Sequence, residues 1–178
     1  GARSRELPII PIDGKDVVGY RDAIVLPKQP KEMIVIGSGA IGMEFAYFYS
    51  TIGTKVTIVE FMDRILPVED VDVSKAMMMN YKKKGIEIMT NSSVEKVESK
   101  GGKSTVTIKT KKGTETKECD IVLSAAGVQT NLENLGLEEM GIKHDKGKIV
   151  VDDFYKTTAP GVYAIGDVIK GAMLAHKA

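Results

Sequence analysis

Three glycines and one glutamate carry the strongest chemical signal in this chain. Gly37-Ser38-Gly39-Ala40-Ile41-Gly42 follows directly on the apolar run Met33-Ile34-Val35-Ile36, and Glu60 closes the next apolar run, Val56-Thr57-Ile58-Val59. Strand, glycine turn, helix, strand and acid in that order form the fingerprint of a dinucleotide-binding βαβ unit. Gly37 permits the tight turn, Gly39 removes a side chain where backbone must approach a pyrophosphate, and Gly42 lets the helix pack closely on the strand. The helix N-terminus offers free N–H groups and partial positive charge to phosphates. Glu60 stands 18 residues beyond Gly42, where a carboxylate can take both adenosine ribose hydroxyls. A bare glycine string could equally be a structural turn; the flanking runs and the distal acid decide for nucleotide.

Charge extends the argument to cofactor choice. Glu60 repels a 2′-phosphate, and Phe61 and Met62 after it supply no guanidinium, while Arg64 alone is a weak counterweight. Two like unit charges about 4 Å apart at an effective dielectric near 20 differ by roughly 4 kcal/mol, enough to favour NAD over NADP.

The elements that must position these residues can be read outward from the fingerprint. Four of the six prolines fall in residues 1–30, which reads as an extended lead-in crossing a surface. Ile41, Phe45, Phe48, Tyr49 and Ile52 recur at helical spacing, and Gly53 supplies the stop. A second helix is expected from about Val71 to Lys84, ended by Gly85, then a third strand at residues 86–89. The next crossover changes character. Residues 94–98, 104–108 and 114–118 alternate or are β-branched, with Gly101-Gly102 and Lys112-Gly113 between them. This predicts an antiparallel three-stranded meander in the place of a helix, returning to a buried strand at residues 120–124 whose end is marked by Gly127. Beyond lie a short helix near Asn131–Leu135 and a strand pair around Lys148–Val151 and Val162–Ile165. The fold class expected is therefore α/β, a Rossmann-like parallel sheet with a three-stranded antiparallel meander crossover.

Composition bounds the rest. A chain of 178 residues accommodates one domain, or one domain plus a piece of another. Lys+Arg 25 against Asp+Glu 24 leaves a formal charge of +1, so neither nucleic acid nor an anionic membrane is expected as partner. No apolar run approaches the length of a membrane span. The start at Gly1 predicts prior processing or truncation. Cys119 is the single cysteine, which excludes an internal disulfide framework and fits a reducing cytoplasm or organelle interior. Several features invite a bland reading. Lys82-Lys83-Lys84 is a solvated helix end, Met77-Met78-Met79 serves packing rather than a metal, His144 is exposed, and Cys119 is a buried inert thiol.

Two further segments carry a family resemblance over essentially the whole chain. Residues 158–168, Thr-Ala-Pro-Gly-Val-Tyr-Ala-Ile-Gly-Asp-Val, resemble the second flavin motif of the pyridine nucleotide–disulfide oxidoreductases, and Met173-Leu174-Ala175-His176-Lys177-Ala178 resembles the segment following it beside the isoalloxazine ring. Glu60-Phe61-Met62-Asp63-Arg64-Ile65-Leu66-Pro67, with Asp70 and Asp72, is similar to the branch that oxidises dihydrolipoamide. The resemblance implies an FAD/NAD(P)-binding fold of the glutathione-reductase type. It implies residues 1–20 as the tail of a split FAD domain and lead-in, residues 21–128 as the NAD-binding domain, and residues 129–178 as the returning FAD segment.

For NAD, the family pattern implies Gly37, Ser38, Gly39, Ala40, Ile41, Gly42, Met43 and Glu44 at the pyrophosphate turn and its helix. It places Glu60 on the ribose and Val94 and Gly127 along the cleft, with Glu44 near the nicotinamide amide and the flavin. For FAD it implies Gly1 and Ala2 at the hand-over segment, Asp167 on the ribityl chain, and Met173, Leu174, Ala175 and His176 against the flavin. No metal is implied. In the intact enzyme, hydride would pass from FAD to NAD⁺ after dihydrolipoamide, carried on an acyltransferase lipoyl domain, had reduced the flavin side; that enzyme would be a homodimer. The family's redox Cys-x4-Cys pair and its acid–base His–Glu couple have no match here, so the resemblance makes this chain an inactive fragment without catalytic residues of its own. The matching domain of an NADH oxidase, a coenzyme A disulfide reductase or a mercuric reductase carries the same motifs, and a non-catalytic nucleotide-binding module is the reading from a different class.

Overall fold

A computed structural model describes residues 1–177. Its strands and helices, in chain order, are β1 (Ala2–Ser4), β2 (Val17–Val18), α1 (Tyr20–Ala23), β3 (Glu32–Ile36), α2 (Ala40–Thr51), β4 (Lys55–Val59), α3 (Val71–Lys83), β5 (Glu87–Met89), β6 (Ser93–Lys100), β7 (Lys103–Thr110), β8 (Gly113–Cys119), β9 (Ile121–Ser124), β10 (Val128–Thr130), β11 (His144–Asp145) and β12 (Lys148–Ile149). The chain divides into two compact units, residues 4–127 and residues 1–3 with 128–178. Among the described residues no helix is long and apolar enough to cross a membrane.

The larger unit is built on a five-stranded sheet in the order β2-β9-β3-β4-β5, with every neighbouring pair parallel. Its central strands are nearly continuous apolar runs because both faces are covered, as parallel sheets require. Side-chain alternation splits them between two cores. Met33, Val35, Val56, Ile58 and Leu123 join Met43, Ala46, Tyr49 and Tyr81 on the helical face. Ile34, Ile36, Val59 and Val122 join Val94, Val106, Ile108 and Cys119 on the other. That second face is covered by the antiparallel meander β6-β7-β8, which stands where a crossover helix would otherwise lie. The strands of the meander run two or three residues beyond the stretches that alternation picks out, and a bulge between Val94 and Lys96 shifts the β6–β7 register.

The helices form for ordinary reasons. Asp70 caps α3 by accepting from the Asp72 N–H at 2.8 Å, and Lys82 and Lys83 complement the dipole in its last turn. Gly85 leaves that helix at φ +81°. The buried face of α2 differs from the aromatic stripe that spacing suggests. Gly42, Met43, Ala46 and Tyr49 are buried, while Phe48 and Ile52 are 53% and 43% exposed. Close approach to the sheet selects the small residues, and the bulky ones are displaced to the outer face. The buried phenols are satisfied: Tyr49 Oη donates to the Ala23 carbonyl at 2.5 Å and Tyr81 Oη to the Met43 carbonyl at 2.9 Å.

Residues 4–20 are not merely a surface lead-in. Ile10, Val17 and Val18 are buried, and β2 forms the sheet edge by pairing Val17 with Val122 and Val18 with Leu123. Prolines bound this segment but leave a two-residue β-branched run free to pair, too short to register as a strand by periodicity.

The smaller unit packs Leu137, Ile142, Ile149, Ala159, Ala164 and Ile169 into its own core. Residues 131–135 contain no helix; here the Asn131 N–H donates to the Gly1 carbonyl at 2.9 Å, and Asn134 takes φ +58°. The strand pair expected around 148–151 and 162–165 is also different. β12 pairs with β11, matching Ile149 with His144 and Lys148 with Asp145. Tyr163 makes only a single bridge, to Lys156. A turn at Lys146-Gly147, both at positive φ, closes a short hairpin, which locally outcompetes a pairing across the loop 152–161.

Candidate functional site

The glycine turn sits at the C-terminal end of β3, where open parallel sheets place their ligand crevice. Its three glycines differ in what holds them. Gly37 has φ +99°, and a Cβ there would stand 2.6 Å from the Ala125 carbonyl oxygen. At Gly42 a Cβ would stand 2.1 Å from the Gly37 carbonyl oxygen. Both glycines are demanded by the packing of β3, α2 and the end of β9. Gly39 is not. It has an ordinary φ of −70° as the N-cap of α2, and a Cβ built on it meets nothing within 4 Å. The fold leaves open space at the one glycine whose absent side chain a bound pyrophosphate would need.

No side chain caps the N-terminus of α2, and its first turn holds no acid. The first intrahelical bond runs from the Met43 N–H to the Gly39 carbonyl, so the preceding amides face outward without helical partners. Ala40 is exposed, Ile41 half-buried and Glu44 exposed. This end of the helix is electrostatically fit for an anion, and the residues present fit a dinucleotide pyrophosphate.

Glu60 lies beside this turn. Its backbone N–H donates to the Met89 carbonyl at 2.8 Å and its carbonyl accepts from the Ser92 N–H at 2.9 Å. Its side chain is buried and bound: Oε2 accepts from the Ser38 N–H at 2.8 Å and from Ser38 Oγ at 2.6 Å, and Oε1 accepts from the Met62 N–H at 2.8 Å. Arg64 is tied to its own loop, with Nη2 donating to the Pro67 carbonyl at 2.9 Å. No basic side chain among the described residues pairs with Glu60.

Of the other residues expected at the nucleotide cleft, Gly127 is exposed with φ +102° and open space around it. Val94 is 6% exposed in the meander core and pairs with Ile108 in the β6–β7 ladder, so its side chain is committed to packing. One expected residue and one that the sequence does not single out also belong to this region. Ser38 holds Glu60, and Ser124 Oγ is buried without a hydrogen-bond partner at the end of β9, where Ser124 pairs with Ile36. A hydroxyl residue inside the glycine fingerprint was the available signal for the first; the second carries none.

The residues expected to meet a flavin all lie in the smaller unit. Ala2 is buried on β1 and Gly1 exposed. Asp167 follows Gly166, at φ +75°, in a single 3-10 turn over Gly166–Val168. Lys148 Nζ donates to the Asp167 carbonyl at 2.8 Å and lies 3.8 Å from Met173 Sδ. Among the described residues nothing donates to the Asp167 carboxylate, which fits a group awaiting a polyol hydroxyl. Met173, Leu174, Ala175 and His176 are exposed, and Ala178 lies outside the described residues.

Cys119 is fully buried and far from thiolate chemistry: burial pushes its thiol up to about 12. In the smaller unit, Arg3 bonds the Glu133 carboxylate at 2.6 Å and holds that carboxyl down at about 2, an exposed pair of modest worth.

Comparison with known proteins agrees with this architecture. The family model for pyridine nucleotide-disulphide oxidoreductase matches residues 1–178. Dihydrolipoyl dehydrogenase of Rhizobium etli is 47% identical over 179 residues, spanning 100% of this chain and 37% of the relative. That of Bacillus subtilis is 38% identical, over 100% of this chain and 38% of its own length. LpdA from Mycobacterium tuberculosis superposes with a TM-score of 0.89 at 33% identity, covering 99% of this chain and 38% of that one. The HOCl-induced flavoprotein disulfide reductase RclA from Escherichia coli gives 0.88 at 30% identity, with 99% and 40% covered. The chain thus spans less than two fifths of the length of these curated relatives. Matched end to end by the family model and by relatives of the same architecture, it belongs to the pyridine nucleotide–disulfide oxidoreductases.

Proposed function

We propose that this chain is the NAD-binding part of a flavoprotein disulfide oxidoreductase that reoxidises dihydrolipoamide. The observation that carries the nucleotide assignment is Gly39: open on its Cβ side, unstrained, and placed at an uncapped helix N-terminus. A glycine without a steric or conformational reason in the fold has its reason in a ligand. When bound, the cofactors supply the redox chemistry: dihydrolipoamide loses two electrons and two protons to become the cyclic disulfide, and NAD⁺ takes up a hydride with release of one proton.

The chain's own residues supply position and charge. The α2 amides hold the pyrophosphate, Glu60 receives the adenosine ribose and disfavours a 2′-phosphate, and Glu44, one turn into α2, orients the carboxamide. Orientation of this kind is worth up to roughly 7–11 kcal/mol of barrier in well-aligned systems. Asp167 and residues 173–176 form a partial FAD surface on the smaller unit. The remaining flavin contacts, the redox cysteines and the homodimer interface belong to the longer protein, working in a reducing compartment such as the cytoplasm, with a lipoyl domain as its partner.

Titration of the purified chain with NADH, followed by amide chemical shifts, tests the reading. Saturable shifts centred on residues 37–44 and 60, weaker with NADPH, are expected. Their absence at millimolar NADH refutes the nucleotide assignment.

A further inference from the structure

We infer that Ser38 is the positioning residue for nucleotide choice: its amide and hydroxyl together lock the Glu60 carboxylate so that one acceptor position, on Oε1, remains for a ribose hydroxyl. The inference rests on the nucleotide reading above. A carboxylate has about four acceptor positions. Two on Oε2 are filled by the Ser38 N–H and Oγ, at 2.8 and 2.6 Å, and one on Oε1 by the Met62 N–H at 2.8 Å. The sugar therefore meets a carboxylate already oriented, and takes one strong bond from it rather than two.

Every polar group of Ser38 is engaged inside the protein, two of them by Glu60. Its carbonyl accepts from the Leu66 N–H at 3.1 Å, and the residue is 0% exposed. Ser38 thus ties the glycine turn to residues 60–66 from inside and makes no surface for a ligand itself. All three donors to Glu60 are neutral, so the carboxylate's charge is held in place without being cancelled by a counter-ion. That is the arrangement a site needs to discriminate against a 2′-phosphate. A freely rotating glutamate could swing aside and admit it; a glutamate bonded on both oxygens cannot.

The test is a double-mutant cycle on the whole chain, reading Kd for NADH and for NADPH in Ser38→Ala, Glu60→Ala and the double variant, with circular dichroism as the fold control. Ser38→Ala should weaken NADH about tenfold, the worth of the lost charge-assisted hydrogen bond that orients Glu60, and leave NADPH unchanged or bound slightly more tightly, so that the preference narrows. In the Glu60→Ala background the same change should have no effect on either cofactor. If Ser38→Ala does not fold, Ser38→Cys replaces it, filling the same volume with a weak donor, and the same narrowing is expected. Wild-type preference for NADH that survives Ser38 replacement, or effects that simply multiply, overturns the inference while leaving the nucleotide reading intact. A wild-type chain that binds neither cofactor overturns both.

Discussion

Replacing Gly39 with valine tests whether this glycine serves a ligand while Gly37 and Gly42 serve the fold. Gly39 has φ −70° and ψ −179°, a region valine occupies without strain, and its Cβ direction is empty to 4 Å. Folding stability should change by no more than about 1 kcal/mol, because the freedom a side chain removes from the unfolded chain is opposed by valine's poor fit to the N-cap position. Binding should collapse. A branched side chain occupies the space of the pyrophosphate and screens the α2 amides; losing two charge-assisted hydrogen bonds, at about 1.5–3 kcal/mol each, costs roughly 3–6 kcal/mol. That is a factor of about 10² to 10⁴ in Kd. The contrast is Gly42→Ala, whose Cβ would stand 2.1 Å from backbone oxygen and should lower the melting temperature sharply or prevent folding. Thermal melts followed by circular dichroism, with NADH titrations on each folded variant, decide the matter. A Gly39→Val chain that melts like the parent and binds NADH with unchanged Kd shows the fingerprint to be a turn only.

Other outcomes are equally concrete. Glu60→Ala should weaken NADH and bring NADPH closer to it, measured by calorimetric titration; tighter NADPH binding by the unmodified chain would contradict the charge argument. Cys119, with its thiol at about 12 through burial, should resist alkylation at pH 8 in the native chain and react at the rate of unfolding; fast native labelling by iodoacetamide would show the core to be open there. Asp120 accepts from the Lys31 and Glu32 backbone N–H groups and pairs with Lys103 Nζ, and its carboxyl is held below the usual aspartate range, first by the Lys103 hydrogen bond. Its contribution of about 1 kcal/mol should be complete above pH 4 and fade as pH falls through the lower folded value, so Asp120→Asn should flatten that acid limb of the stability curve. The chain alone should be colourless after gel filtration, since Asp167 offers one hydrogen bond of about 1.5–3 kcal/mol against an association cost of roughly 4–15 kcal/mol; a yellow preparation would show that the flavin surface is more complete than Asp167 and residues 173–176 make it.

Strands β3, β4 and β9 were legible because each is a nearly continuous apolar run bounded by turn residues, and the meander because β-branched alternation broke at Gly101-Gly102 and Lys112-Gly113. Where the reading departed from the structure, a local preference met a tertiary one. β2 is only Val17–Val18, and it exists because β9 offers an edge. The apolar stripe of α2 was a sound helical pattern that meets the core only in part: Tyr49 is buried and Phe45 packs beside it, while approach to the sheet favours Gly42 and Ala46 over Phe48 and Ile52. Residues 131–135 carried helix-compatible spacing, yet Asn131 is engaged by Gly1 and Arg3 from the chain's own start. Such long-range partners leave no periodic trace.

The candidate site shows a sharper division. In the sequence the three glycines of the fingerprint take different roles only from their order in a βαβ unit. The structure distinguishes them by what their missing Cβ atoms would strike: backbone at Gly37 and Gly42, empty space at Gly39. A turn that served folding alone would have no use for the third. The same logic applies to Glu60. A glutamate at a strand end is ordinary, but one buried, bonded on both oxygens and lacking a counter-ion is costly to keep. Its three donors, two from Ser38 and one from Met62, offset the desolvation, and the negative charge they preserve faces the same turn that Gly39 leaves open. Open space at Gly39 and a buried carboxylate beside it at the end of a parallel sheet are what support the proposed nucleotide reading over a bare βαβ turn.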